Sequence, residues 1–182
     1  NEEYLEAVQN TISTYLYDDS DGSIKQIIFV NIQKKIQSHP NSTALLELLT
    51  WMHLQDLNFN RAYDYAIALD KRNGEQGKRI FDLANVARNN LQFDVAITAY
   101  NYLIENKDNF YHRLAKIELV KVLKQKVESK NVLENNDIVM LQKAYEKALK
   151  ELGLNEQTAE LQIDYAGILA FYLKKNKKWK KM

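Results

Sequence analysis

Apolar residues recur every three or four positions along most of the chain. That is the spacing of amphipathic helices, not the alternation of strands. It predicts nine helices separated by short polar turns. Leu5, Val8, Ile12, Tyr15 and Leu16 form a stripe over 1–17, ended by Asp18-Asp19-Ser20-Asp21-Gly22. Ile24, Ile27, Ile28, Ile32 and Ile36 form a second over 24–37, with Ser23 as its expected cap and Pro40 as its stop. A third helix, 43–55, carries Leu45, Leu46, Leu48, Leu49 and Met52, as expected of a helix wedged between neighbours. Others are predicted over 60–71, closed by Gly74, and over 76–90 and 93–105. A seventh begins near 109, an eighth is capped by Asp137 and ended by Gly153, and a ninth covers 156–174.

Two stretches match each other at an offset of 34 residues. Phe59-Asn60-Arg61-Ala62 aligns with Phe93-Asp94-Val95-Ala96, and Leu46, Leu49 and Thr50 align with Ile80, Leu83 and Ala84. The second stretch continues from Ala96 to Tyr100 with three residues between. On these residues the chain resembles the tetratricopeptide-repeat family, whose period is about 34 residues. Alanine at 62 and 96 has a physical reason, because two helices of one hairpin cross closely there and a larger side chain would force them apart.

The resemblance implies an all-α, right-handed solenoid of helix-turn-helix repeats forming one domain over 1–182. Repeat-like units are expected over about 1–40, 41–74, 75–108 and 109–153, with a partial unit over 154–182. Ile28 stands at the small position of the first unit. In the fourth, Glu118 takes the small position, and an inserted loop over 125–136 displaces Leu141, Tyr145 and Ala148. Trp179 falls where Phe59 and Phe93 fall, so the sequence is expected to be part of a longer array.

Composition narrows the function classes. Five glycines and one proline in 182 residues favour long helices over hairpin-rich sheets. Twenty-five basic against 24 acidic residues leave a net charge of +1, so no global basic field favours nucleic acid. With no cysteine there are no disulfides, thiolate metal sites or cysteine nucleophiles. No apolar run approaches the roughly 18 residues of a membrane span, and the opening residues do not read as a signal peptide; a start at Asn1 is read as that of a mature product or a fragment whose targeting segment has been removed. The reading is a soluble protein, with cytoplasm and periplasm both open.

Candidate chemistry is sparse. The 18–24 turn has the glycine of a calcium loop, but Ile28 stands where the bidentate glutamate is needed, so a solvated acidic turn is expected. His39, His53 and His112 form no metal-ligand spacing and stand beside no nucleophile setting. No catalytic residue, cofactor, metal or small-molecule substrate is expected. The run Lys174-Lys175-Asn176-Lys177-Lys178-Trp179-Lys180-Lys181 offers an alternative role as an adaptor to nucleic acid or an anionic membrane, weighed against a solvated turn between two helices.

In the family, exposed positions of each repeat's first helix line a groove for a protein or peptide partner. The resemblance places Glu47, Trp51, Leu54 and Gln55 there, then Lys78, Phe81, Asn85, Arg88 and Asn89, then His112, Ala115, Leu119 and Val122. It implies a non-catalytic interaction scaffold with Trp51 and Phe81 as apolar anchors. Glu47 and Trp51 replace the lysine and asparagine of the chaperone-tail-binding members, which argues against that ligand.

Overall fold

The computed structural model describes the backbone of residues 2–179 and the side chains of residues 3–170. Those residues form nine α-helices and one 3₁₀ turn, with no strand among them. In order they are α1 (Glu2–Tyr17), α2 (Ser23–Ser38), α3 (Thr43–Gln55), α4 (Phe59–Asn73), α5 (Lys78–Asn89), α6 (Phe93–Glu105), α7 (His112–Glu128), α8 (Asn135–Leu152), the turn Glu156–Thr158, and α9 (Ala159–Trp179). Consecutive helices pack on one another from α1 to α4 and from α5 to α9. The chain divides into two compact units, Asn1–Glu75 and Gln76–Met182, at the boundary between the second and third repeat-like stretches.

In the first unit the acidic turn after α1 is a capping device. The Asp19 carboxylate accepts the amides of Ile24 at 3.0 Å and Lys25 at 2.8 Å, and Asp21 accepts that of Ser23 at 3.0 Å. Ser23, expected as the cap, is the first helical residue, and Gly22 holds the left-handed backbone before it. A terminus whose first amides lack helical partners is satisfied here by carboxylates. Ile12, Ile32, Leu48, Leu49 and Met52 form the core of α1, α2 and α3. His53 is buried beside it, edge-on to Phe29 at 5.0 Å and stacked on Tyr65 at 5.6 Å.

The 34-residue offset recurs in backbone geometry. After α3, Leu57 takes φ 54°, and after α5, Leu91 takes φ 59°. The Asn58 amide reaches the His53 carbonyl at 2.8 Å, and the Gln92 amide reaches that of Ala87 at 2.9 Å. The Leu57 amide bonds Leu54 O and the Leu91 amide bonds Arg88 O, at 3.1 and 3.0 Å. Both turns are therefore the same Schellman closure, with leucine where glycine is usual. Ala62 and Ala96 are fully buried, and α4 and α6 pack closely along α3 and α5 respectively. Phe59, Ala84 and Tyr100 are buried as well, while Phe93 is half-buried.

In the second unit α5/α6 and α7/α8 form hairpins and α9 closes on α8. Ile117, Val120, Leu141, Tyr145, Leu161 and Ile168 join α7, α8 and α9 in one apolar cluster. Gly77 opens α5 at φ 90°, and a Cβ there would sit 2.7 Å from Leu103 Cδ2 and 3.1 Å from Asn109 Cβ. Asn109 ties the connection after α6 together, donating to Leu103 O at 2.7 Å and accepting the Tyr111 amide at 2.8 Å.

Three boundaries differ from the pattern. Half of the expected loop over 125–136 is helix: α7 runs to Glu128 and α8 starts at Asn135, which leaves 129–134 as the connection. Asp137 does help start α8, but from inside its first turn, where it and Glu134 cap each other reciprocally. The break expected after residue 174 is absent, since α9 continues to Trp179. The side chain of Trp179, and residues Lys180, Lys181 and Met182, lie outside the described residues.

Candidate partner-binding face

In the first unit the expected groove residues divide between core and surface. Trp51 is half-buried and packs against the α1–α3 cluster, so it braces the core instead of standing free as an anchor. Glu47 and Leu54 are half-buried, and Gln55 is exposed.

The second unit brings Phe81, Asn85 and Arg88 into one network, spaced along α5 by turns of the helix. Phe81 stacks on Tyr111 at 4.8 Å and meets Tyr100 edge-on at 5.8 Å. The buried Tyr100 hydroxyl donates to Asn85 Oδ1 at 2.8 Å. Burial pushes that phenol well above the tyrosine range; Glu118 adds to the rise and Arg88 opposes it. Arg88 forms an ion pair with Glu118 of α7, at 20% and 18% exposure. These residues, expected to meet a partner, are engaged within the protein. Lys78 pairs with Asp82 at 2.6 Å on the exposed side of α5, and Asn89 is exposed beyond Arg88.

The third set needs correction. Ala115 and Val122, expected in the groove, are fully buried. Ala115 is fully enclosed three residues before Glu118, and Glu118 turns out towards Arg88. Leu119 is half-buried on the side of α7 facing α6 and α8, and His112 is half-buried with its Nδ1 enclosed and unpartnered among the described residues.

Residues that sequence reasoning passed over complete the face. Glu118 also meets Lys121 at 3.4 Å, Lys121 reaches Glu160 of α9 at 2.6 Å, and Lys124 reaches Asp164 of α9 at 2.8 Å. Asp164 accepts the Tyr145 hydroxyl at 3.2 Å, and the Tyr165 hydroxyl donates to Glu146 at 2.6 Å. Burial pulls the Lys121 ammonium down, but the Glu160 and Glu118 carboxylates outweigh it and hold the pKa above the lysine range. The Asp164 bond does the same for Lys124. The first helices α5, α7 and α9 are thus joined side by side through charge. A signal existed in the sequence: Glu118, Lys121 and Lys124 recur every three residues along one side of α7. Leu114, one turn before Glu118, is 46% exposed, and Ile163, one turn after Glu160, is 74% exposed.

Among the described residues no group of three or more His, Asp or Glu is placed to hold a metal ion. No described helix is long and apolar enough to cross a membrane. The described residues define an all-helical protein whose helices pack on their neighbours within each unit. No family model matches the chain, and no curated protein matches it.

Proposed function

We propose that this chain is a non-catalytic interaction scaffold of the tetratricopeptide-like solenoid type, binding a protein or peptide partner across the first helices of its second unit. The observation that carries the reading is the pair of hairpins repeated at 34 residues, down to the left-handed leucine of each turn. Repeated hairpins bury one helix layer against another and leave the exposed sides of the first helices free for recognition. On this face the charges of Arg88, Glu118, Lys121 and Glu160 are already matched among themselves. Its unspent groups are apolar, Leu114 and Ile163, with Asn89 at the margin. Contiguous exposed apolar patches rimmed by polar residues mark association surfaces, and a partner that covers Leu114 and Ile163 together would complete such a patch here. The face therefore suits a partner with apolar anchors better than a strongly charged one.

The test is affinity capture from cells with the intact chain and with a Leu114→Glu, Ile163→Glu variant, read by quantitative mass spectrometry. A partner set retained by the wild type and lost by the variant, at unchanged helicity, supports the scaffold. Equal capture by both overturns this choice of face. The alternative, an adaptor acting through the lysines of 174–181, predicts capture of nucleic acid or anionic vesicles that weakens steeply with salt.

A further inference from the structure

On another side of the second unit, a cleft of about 120 Å³ opens between α6, α7 and α8. Ile104 of α6, Leu119 and Leu123 of α7, and Ala144 and Ala148 of α8 form its walls. The two alanines stand one helical turn apart and leave the space that larger residues would fill. A rim of charge surrounds this apolar hole. Lys116 bonds Glu151 at 2.6 Å, and Lys147, one turn before Glu151, is exposed with no ion pair among the described residues. Lys143 and Lys150 are exposed one turn to either side of Lys147. The nearby carboxylates are committed: Glu151 to Lys116, and Glu146 to Tyr165 and Gln142.

We propose that this cleft docks an acidic peptide segment of a partner protein, with one leucine-sized side chain in the apolar hole and flanking carboxylates on Lys143 and Lys147. The volume fits one such group: an apolar cavity of about 150 Å³ accepts a guest the size of benzene. Charge complementarity selects the acid. An exposed row of lysines beside an apolar hole favours an anionic neighbour and opposes a cationic one. The walls of the cleft and the lysines proposed to meet the peptide include none of the residues of the α5–α7–α9 face, and the site stands apart from the reading above.

The test uses the full chain and a fluorescein-labelled peptide of aspartates, glutamates and serines around one central leucine, followed by anisotropy. Replacing the leucine by alanine is expected to weaken binding about tenfold, since an unfilled apolar pocket forfeits on the order of one such factor. Replacing the acids by lysines abolishes binding. Lys147→Glu, at an exposed position that leaves the fold intact, weakens the leucine peptide at least about fivefold. Ala144→Leu fills the hole and erases the preference for leucine over alanine. The Leu114→Glu, Ile163→Glu variant binds like wild type, which separates this site from the face proposed above. Equal binding of the leucine and alanine peptides, or indifference to Lys147→Glu, overturns the proposal. Full displacement of the peptide by octanoate also overturns it, making the cleft an acyl-carboxylate site.

Discussion

Leu57 and Leu91 hold the same left-handed backbone at the same place in two hairpins, at φ 54° and 59°. A Cβ in that conformation costs about 1–2 kcal/mol. Neither side chain recovers much of the cost by burial, being 61% and 71% exposed. Leu57→Gly and Leu91→Gly are each expected to raise stability by about 0.5–1 kcal/mol, the gain reduced by the freer unfolded chain. Leu57→Ala and Leu91→Ala keep the Cβ and give no such gain. Urea denaturation of the four variants decides, and a loss in both glycine variants would contradict the turn geometry.

Gly77 is the opposite case, where the backbone and its neighbours both require glycine. Gly77→Ala places a methyl group at 2.7 Å from Leu103 Cδ2 in a left-handed conformation. Strain and overpacking together are expected to cost about 2–4 kcal/mol. Gly74→Ala has the same kind of φ, 66°, but nothing within 4 Å of the new carbon, so it should lose only the strain part. Similar losses at the two glycines, measured by thermal unfolding, would remove the packing argument.

The Arg88–Glu118 pair makes a prediction about where affinity and stability separate. Both groups are about four-fifths buried, so removing one leaves the other poorly solvated. A double-mutant cycle with Arg88→Ala and Glu118→Ala is expected to give a coupling of about 1–2 kcal/mol. A coupling near zero would return Arg88 to the role of a free partner-binding group.

His53 links the first unit to pH. Burial between Phe29 and Tyr65 lowers its pKa from the ordinary 6.5, Arg61 lowers it further, and Asp56 opposes both. The folded state therefore prefers the neutral ring, while the unfolded chain takes up a proton first. The stability from this group is fully present above about 6.5 and is lost as pH falls through the lower folded value. Denaturation midpoints are expected to drop between about pH 7 and pH 5 more steeply in wild type than in His53→Gln. Parallel profiles would exclude His53 as the source.

Local rules made the helices legible. Stripes such as Leu5, Val8 and Ile12 report their own periodicity, and α3 and α6 fall on the expected residues. The 34-residue match also named residues that are buried, with Ala62, Ala84, Ala96 and Tyr100 all fully enclosed. Its reach ended where a helix turns about its own axis. A register carried onto α7 puts Ala115 and Val122 outside and Glu118 at the small position, whereas Ala115 and Val122 are fully buried and Glu118 reaches Arg88. Arg88 and Glu118 lie 30 residues apart, and no local pattern announces such a pair. Trp51 shows the same limit, for a groove position and a core-bracing position differ only by what α1 and α2 place beside it.

The packing of Trp51 against the α1–α3 cluster gives the protein an internal light source. The chain has two tryptophans, Trp51 in the first compact unit and Trp179 at the end of α9 in the second. In a Trp179→Phe background all indole emission comes from the first unit, while far-ultraviolet dichroism, spread over helices of both, reports the whole. Coincident optical transitions would mean that the two units melt as one cooperative body, and separated ones that each keeps its own melting point.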